Sequence, residues 1–178
     1  MGLDATTIAH GSALLIAAIA AVTDFRRGEI PNWLTLPPLV VAPIAYGILH
    51  GPWAALGAVA AMVVCALVPY MLFRRGAAGG GDVKLFAALG AVAGMSIGIE
   101  AQLVTFMAAA VITLGRLAWN GRLLRTLSNA VFLGLNPILP GRWRRPVAPE
   151  LMSVVRLGGF AFVGTTLALF MRQPAPWQ

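Results

Sequence analysis

Long uncharged, apolar stretches separated by short polar breaks dominate this chain. No charged residue lies between Asp4 and Asp24, between Glu29 and Arg74, between Lys84 and Glu100, between Glu100 and Arg116, or between Arg156 and Arg172. A helix that crosses a membrane needs roughly 20 mostly apolar residues, with about 17 as a lower bound. The Glu29–Arg74 stretch is long enough for two crossings, and His50-Gly51-Pro52 is a natural break between them. The last three stretches reach the required length once a boundary Lys or Arg snorkels toward the interface. The pattern therefore predicts an all-α, polytopic membrane protein with about six transmembrane helices. The expected spans are Ile8–Val22, Leu34–Leu49, Trp53–Phe73, Val83–Ile99, Ala101–Trp119 and Val154–Phe170. The first is expected to persist as a span. Its N-terminal flank carries Asp4 and no Lys or Arg, whereas a cleavable signal peptide begins with a basic region.

Composition agrees with the pattern. Of 178 residues, 59% are hydrophobic and 11% are charged, where a soluble domain carries about 25% charged residues. That excludes a soluble fold. The single cysteine, Cys65, falls inside the third span, so it can form neither an internal disulfide nor a cysteine-based metal site. It reads as a small apolar filler. No cluster of His, Cys and acidic residues has metal-ligand spacing, and no metal or cofactor is expected. His10, near the far end of the first span, reads as incidental.

Charge placement supplies the topology. Positive residues collect in short cytoplasmic loops. The loops after the first, third and fifth spans hold Arg26, Arg27, Arg74, Arg75, Lys84, Arg116, Arg122, Arg125, Arg142, Arg144, Arg145 and Arg156, leaving only Arg172 on the opposite side. Both termini are then expected outside the cytoplasm. The net charge of +7 follows as a topology signal and an attraction to anionic lipid headgroups. Nucleic acid is not an expected partner, because the arginines are spread over three loops rather than one soluble face. Trp33, Trp53, Trp119, Trp143 and Trp177 fall near span ends, as an aromatic belt would. Residues 1–178 read as one domain, within which residues 120–150 form a basic, proline-containing cytoplasmic loop.

Six acids remain: Asp4, Asp24, Glu29, Asp82, Glu100 and Glu150. Asp24 closes the first span and Asp82 opens the fourth, so the charge argument puts both at the cytoplasmic end of their helices. Acids at membrane depth are costly and are functional candidates by default. Two facing carboxylates cannot both ionise easily and hold one proton between them. Such a pair can activate water on one side and protonate a carbonyl on the other, with no metal and no nucleophilic side chain. Two bland alternatives stand beside this one. Asp82 follows Gly79-Gly80-Gly81 and precedes an apolar run, as a helix N-cap does. Asp24 precedes Arg26 and Arg27, as a solvated boundary charge does. The other four acids read as loop charges.

The local sequences around the two aspartates carry a resemblance. Asp24-Phe25-Arg26-Arg27-Gly28-Glu29-Ile30-Pro31-Asn32 resembles the first aspartate motif of the prepilin peptidases: an aspartate, a short basic loop, then Ile-Pro-Asn opening the next helix. Gly79-Gly80-Gly81-Asp82-Val83-Lys84-Leu85 is similar to their second motif, Gly-x-Gly-Asp followed by x-Lys-Leu. Gly-x-Gly-Asp alone is a weak pattern; both motifs in order, at one end of the first and fourth spans, are fairly specific. The resemblance covers roughly Ile8 to Ile99. It implies a membrane aspartic endopeptidase of the bacterial inner membrane, with Asp24 and Asp82 as the catalytic pair. Its substrate would be a type IV prepilin or pseudopilin, cut at the cytoplasmic face after a glycine. Gly79 and Gly81 would let a substrate strand approach closely. Pro31 suits the first turn of a helix and Asn32 would help cap it. Lys84, two positions past Asp82, points to another helix face and would line the loop or meet lipid phosphate.

Long members of that family begin with a cytoplasmic domain bearing paired cysteines, linked to N-methylation of the product. This chain resembles the short, peptidase-only forms, which typically serve tight-adherence (Flp-type) pili. The family often carries Pro-aromatic-Gly at the last span; the nearest match here, Arg156-Leu157-Gly158 with Gly164 downstream, lacks the proline and the aromatic. The basic Asn120–Glu150 segment exceeds a plain connector of about 2–8 residues. Basic leaders would be repelled by it, so it is expected to press on the membrane surface or meet a pilus or secretion assembly protein. Two rivals remain: a non-catalytic scaffold of such an assembly, and a small transporter using the two aspartates as proton carriers. The transporter would need midplane acids or matching halves, and neither is visible.

Overall fold

A computed structural model describes residues 5–119 and 156–172. Among these residues the fold is all α-helical: α1 Ala5–Arg27, α2 Asn32–His50, α3 Pro52–Arg74, α4 Gly80–Ala93, α5 Met95–Trp119 and α6 Gly158–Met171. The basic segment expected over residues 120–150 lies outside the described residues. The chain divides into two compact units, one of Met1–Met107 with Val154–Gln178 and one of Ala108–Ser153. The first unit contains α1 to α4, α6 and the start of α5.

Among the described residues four helices are long and apolar enough to cross a membrane: α1, α2, α3 and, in α5, Met95–Arg116. The chain is thus a multi-pass membrane protein. The other two helices, α4 and α6, have 14 residues each, about 21 Å at 1.5 Å per residue, against a hydrocarbon core of about 30 Å.

The structure moves one expected boundary. The sequence reading separates the fourth and fifth spans at Glu100, but the break falls at Gly94. There φ is 88°, a conformation that glycine reaches without strain, and the Gly94 N–H closes α4 onto the Gly90 carbonyl at 3.0 Å. Glu100 is therefore not a loop charge. It sits within α5 and pairs with Arg172 at the end of α6, with Arg172 Nη2 at 2.6 Å from Oε1. At the other end of the chain α1 runs past Val22 to Arg27, so Asp24 lies inside its last turns.

On α1 and α6 most buried positions carry small residues, while many large apolar side chains face outward. On α1, Ala13, Ala17 and Ala20 are fully buried, one above another at helical spacing. On α6 the buried positions are Gly158, Ala161, Gly164, Thr165 and Ala168, and α1 packs against α6. Leu15, Ile48, Trp53 and Phe170 are exposed. Lipid tails are as apolar as leucine, so helices in a bilayer gain from close van der Waals approach, which small residues permit. Helix α4 is buried continuously from Leu85 to Val92, as expected of a helix apolar all round. It is the central element, with α1, α2 and α3 packed on it.

One of these close approaches is at Gly90. A Cβ there would stand 2.7 Å from the Ala61 carbonyl oxygen and from Cys65 Sγ, and one at Gly98 would stand 2.6 Å from the same sulfur. Cys65 thus fills a slot between α3 and two glycines. Gly90→Ala is expected to destabilise the fold by about 1–3 kcal/mol through overpacking. Gly57→Ala, where a Cβ meets nothing within 4 Å, is expected to leave stability unchanged or slightly raised. Thermal unfolding in detergent compares them; equal midpoints would mean that α3 and α4 are not so closely apposed.

Candidate functional site

The buried stripe of α1 continues from Ala13, Ala17 and Ala20 to Asp24. The register that turns those alanines inward turns this acid inward too, and Asp24 is 6% exposed. Four residues later Gly28, with φ of 71°, ends the helix as its N–H closes onto the Asp24 carbonyl at 2.8 Å. Asp82 is also 6% exposed. It is the third residue of α4, and Gly79, not Asp82, occupies the N-cap position. Asp82 Oδ2 accepts the Gly79 N–H at 2.9 Å, the reach-back half of a capping box. Asp82 therefore does help close the helix end, though from inside the first turn.

The two acids line one cavity of about 540 Å³. Gly79, Gly80 and Gly81 form part of one wall, and Pro31 and Asn32 part of another. Gly81 allows these walls to meet, since a Cβ there would stand 3.0 Å from Ile30 Cβ. Asp82 stands ahead of the apolar run that begins at Val83. Its carboxyl is raised above its ordinary value, first by burial; the Gly79 hydrogen bond works in the opposite sense, and the negative charge of Asp24 adds to the rise. Both effects that raise it favour one proton held at this site over two ionised carboxylates.

Three supporting residues sit differently from their expected roles. Pro31 is the N-cap of α2 rather than a first-turn residue, and Asn32 is the first helical residue. The Asn32 side chain does not cap: its Oδ1 accepts a hydrogen bond from Lys84 Nζ at 2.8 Å. Lys84 does not line the cavity; it ties the second turn of α4 to the start of α2. An exposed hydrogen bond of this kind contributes about 0.5–1.5 kcal/mol. Lys84→Met and Asn32→Ala, alone and combined, are expected to show a coupling of that size in unfolding experiments. Strict additivity would rule the bond out.

The sequence reading missed the contribution of the α6 entry. The Gly158 N–H donates to Asp24 Oδ2 at 2.9 Å. A Cβ on Gly158 would stand 2.6 Å from Asp24 Cβ and 3.0 Å from the Ala20 carbonyl oxygen. Arg156 and Leu157, just ahead of it, line the cavity. The available signal was the glycine of Arg156-Leu157-Gly158, which survives although its expected neighbours do not.

Each aspartate thus has one oxygen held by a backbone N–H from another segment or turn. The other oxygen of each has no hydrogen-bond partner among the described residues. Both acids line this one cavity, and the negative charge of Asp24 is felt at the Asp82 carboxyl. Among the described residues no three His, Cys, Asp or Glu side chains stand together as metal ligands. The model of the type IV leader peptidase family matches residues 12–114. No curated protein and no solved structure matches the chain.

Proposed function

The chain belongs to the type IV leader peptidase family, and on that premise we propose that it is an aspartic endopeptidase that removes the leader from prepilin-like proteins at the cytoplasmic face of the inner membrane. Asp24 and Asp82 are its catalytic pair. The observation that carries this reading is the convergence of two buried carboxylates, from α1 and α4, on one cavity.

One aspartate is ionised and the other protonated; the proton belongs to the pair. The ionised carboxylate takes a proton from water as its oxygen attacks the scissile carbonyl carbon. The protonated carboxyl gives its proton to the carbonyl oxygen. The C–N bond then breaks, the amine leaves with the proton first taken from water, and the carbonyl re-forms by returning the other proton to the pair. The backbone donors at Gly79 and Gly158 hold each carboxylate from one side, which limits reorientation during transfer. Gly81 lets the start of α4 close against Ile30, which fixes Asp82 beside the loop that enters α2.

The arginine asymmetry supports the cytoplasmic placement, since Arg26, Arg27, Arg74, Arg75 and Lys84 flank the cavity segments in sequence. The test is leader removal from a co-expressed candidate prepilin, read as a mobility shift. The peptidase cleaves it; a scaffold with the same fold leaves every plausible pilin intact.

A further inference from the structure

Arg156 immediately precedes the N-cap of α6 and lines the same cavity as Asp24, Glu29 and Asp82. Among the described residues its guanidinium is ion-paired with none of those three acids. Its Nη1 donates instead to the Phe25 carbonyl oxygen, near the end of α1, at 3.2 Å. Its Nη2 lies 3.5 Å from where a Cβ on Gly28 would stand. Arginine carries five N–H donors in a rigid planar fork. One of them is anchored here to backbone, while Nε and Nη2 have no acceptor among the described residues. The anchor keeps a permanent cation at the edge of an acidic cavity without neutralising the acids.

Resting on the peptidase reading, we propose that Arg156 is a substrate-binding residue whose free donors hold a backbone carbonyl oxygen of the peptide segment entering the cavity. An extended segment brings carbonyl groups that need donors once water is displaced. A second substrate carboxylate is disfavoured, because three acids already line the wall and like charges repel. A neutral carbonyl takes the fork's donors without that repulsion.

Cleavage kinetics of a purified prepilin in detergent micelles test this, with Arg156→Gln as the main variant. Glutamine keeps an amide donor for the Phe25 carbonyl but has no fork. Arg156→Gln is expected to raise KM about tenfold, with kcat within about threefold of wild type and an unchanged unfolding midpoint. Arg156→Lys, which keeps the charge and loses the fork, recovers part of the loss. A prepilin whose acidic residues near the cut are changed to amides is expected to show the same tenfold dependence on Arg156. If that dependence vanishes, the ligand is a carboxylate and the carbonyl assignment fails. An unmoved KM, or one that rises only as the unfolding midpoint falls, makes Arg156 a tie between α1 and α6 and overturns the proposal. Wild-type cleavage in the same micelles separates the two readings: without it both fall, and with it only the role of Arg156 is at stake.

Discussion

Asp24→Asn and Asp82→Asn are each expected to lower leader cleavage by about 10²–10⁴-fold, the range associated with a positioned acid or base. Asparagine is the informative replacement because it keeps the shape and the acceptor oxygen. At position 82 that oxygen still accepts the Gly79 N–H, and at position 24 it still accepts the Gly158 N–H. Neither change leaves a buried N–H orphaned, and each removes an acid from a buried site, so both proteins should insert at wild-type levels. A loss of cleavage then reports chemistry rather than folding. The measurement is leader removal from a co-expressed prepilin, normalised to the amount of each variant in the membrane. An Asp82→Asn protein that cleaves within tenfold of wild type would reduce Asp82 to a helix-end residue. The same result for Asp24→Asn would make Asp24 a buried boundary charge.

Gly158→Ala is expected to produce the second largest loss, about 100-fold or more in cleavage. One methyl group would need space already held by Asp24 Cβ at 2.6 Å, Asp24 Oδ2 at 2.9 Å and the Ala20 carbonyl oxygen at 3.0 Å. Two of these three atoms belong to Asp24 itself, and Ala20 sits one turn before it on the same helix. Either α6 moves away from α1 or the Asp24 side chain turns; both lengthen the 2.9 Å bond from the Gly158 N–H. Displacements of about 1 Å at a reacting group can lower rates by 10²-fold. The neighbouring Gly159 is the control, because a Cβ there meets nothing within 4 Å. Gly159→Ala should therefore cleave nearly as wild type does. Equal activity of the two alanine variants would show that α6 does not position Asp24.

The helices were legible because their signal is local. Runs free of charge located the six helices of the described residues, and the longest misplacement, Glu100 for Gly94, has a simple cause. Hydropathy marks where charge stands, whereas the helix ends where the backbone turns. Gly94 turns it in a stretch with no charge at all. Asp24 and Asp82 were visible as acids at helix ends because so few acids compete with them in a sequence with six. The roles of Pro31, Asn32 and Lys84 were less legible. A cap position depends on one residue of register at the helix start, and Lys84 meets Asn32 across 52 residues of chain.

What the amino-acid sequence determined by itself is therefore the set of apolar helices, their membrane habit and the two acids that punctuate them. Each of these follows from side-chain transfer energies and helical period, which are properties of neighbours in the chain. The tertiary structure alone decided that Gly158 meets Asp24, across 134 residues, and that Arg156 reaches Phe25, across 131. It also decided that α4 is the buried centre while longer helices surround it. Contacts of that kind depend on how close two small-residue faces can come, and no pattern within either helix records the face that will meet it.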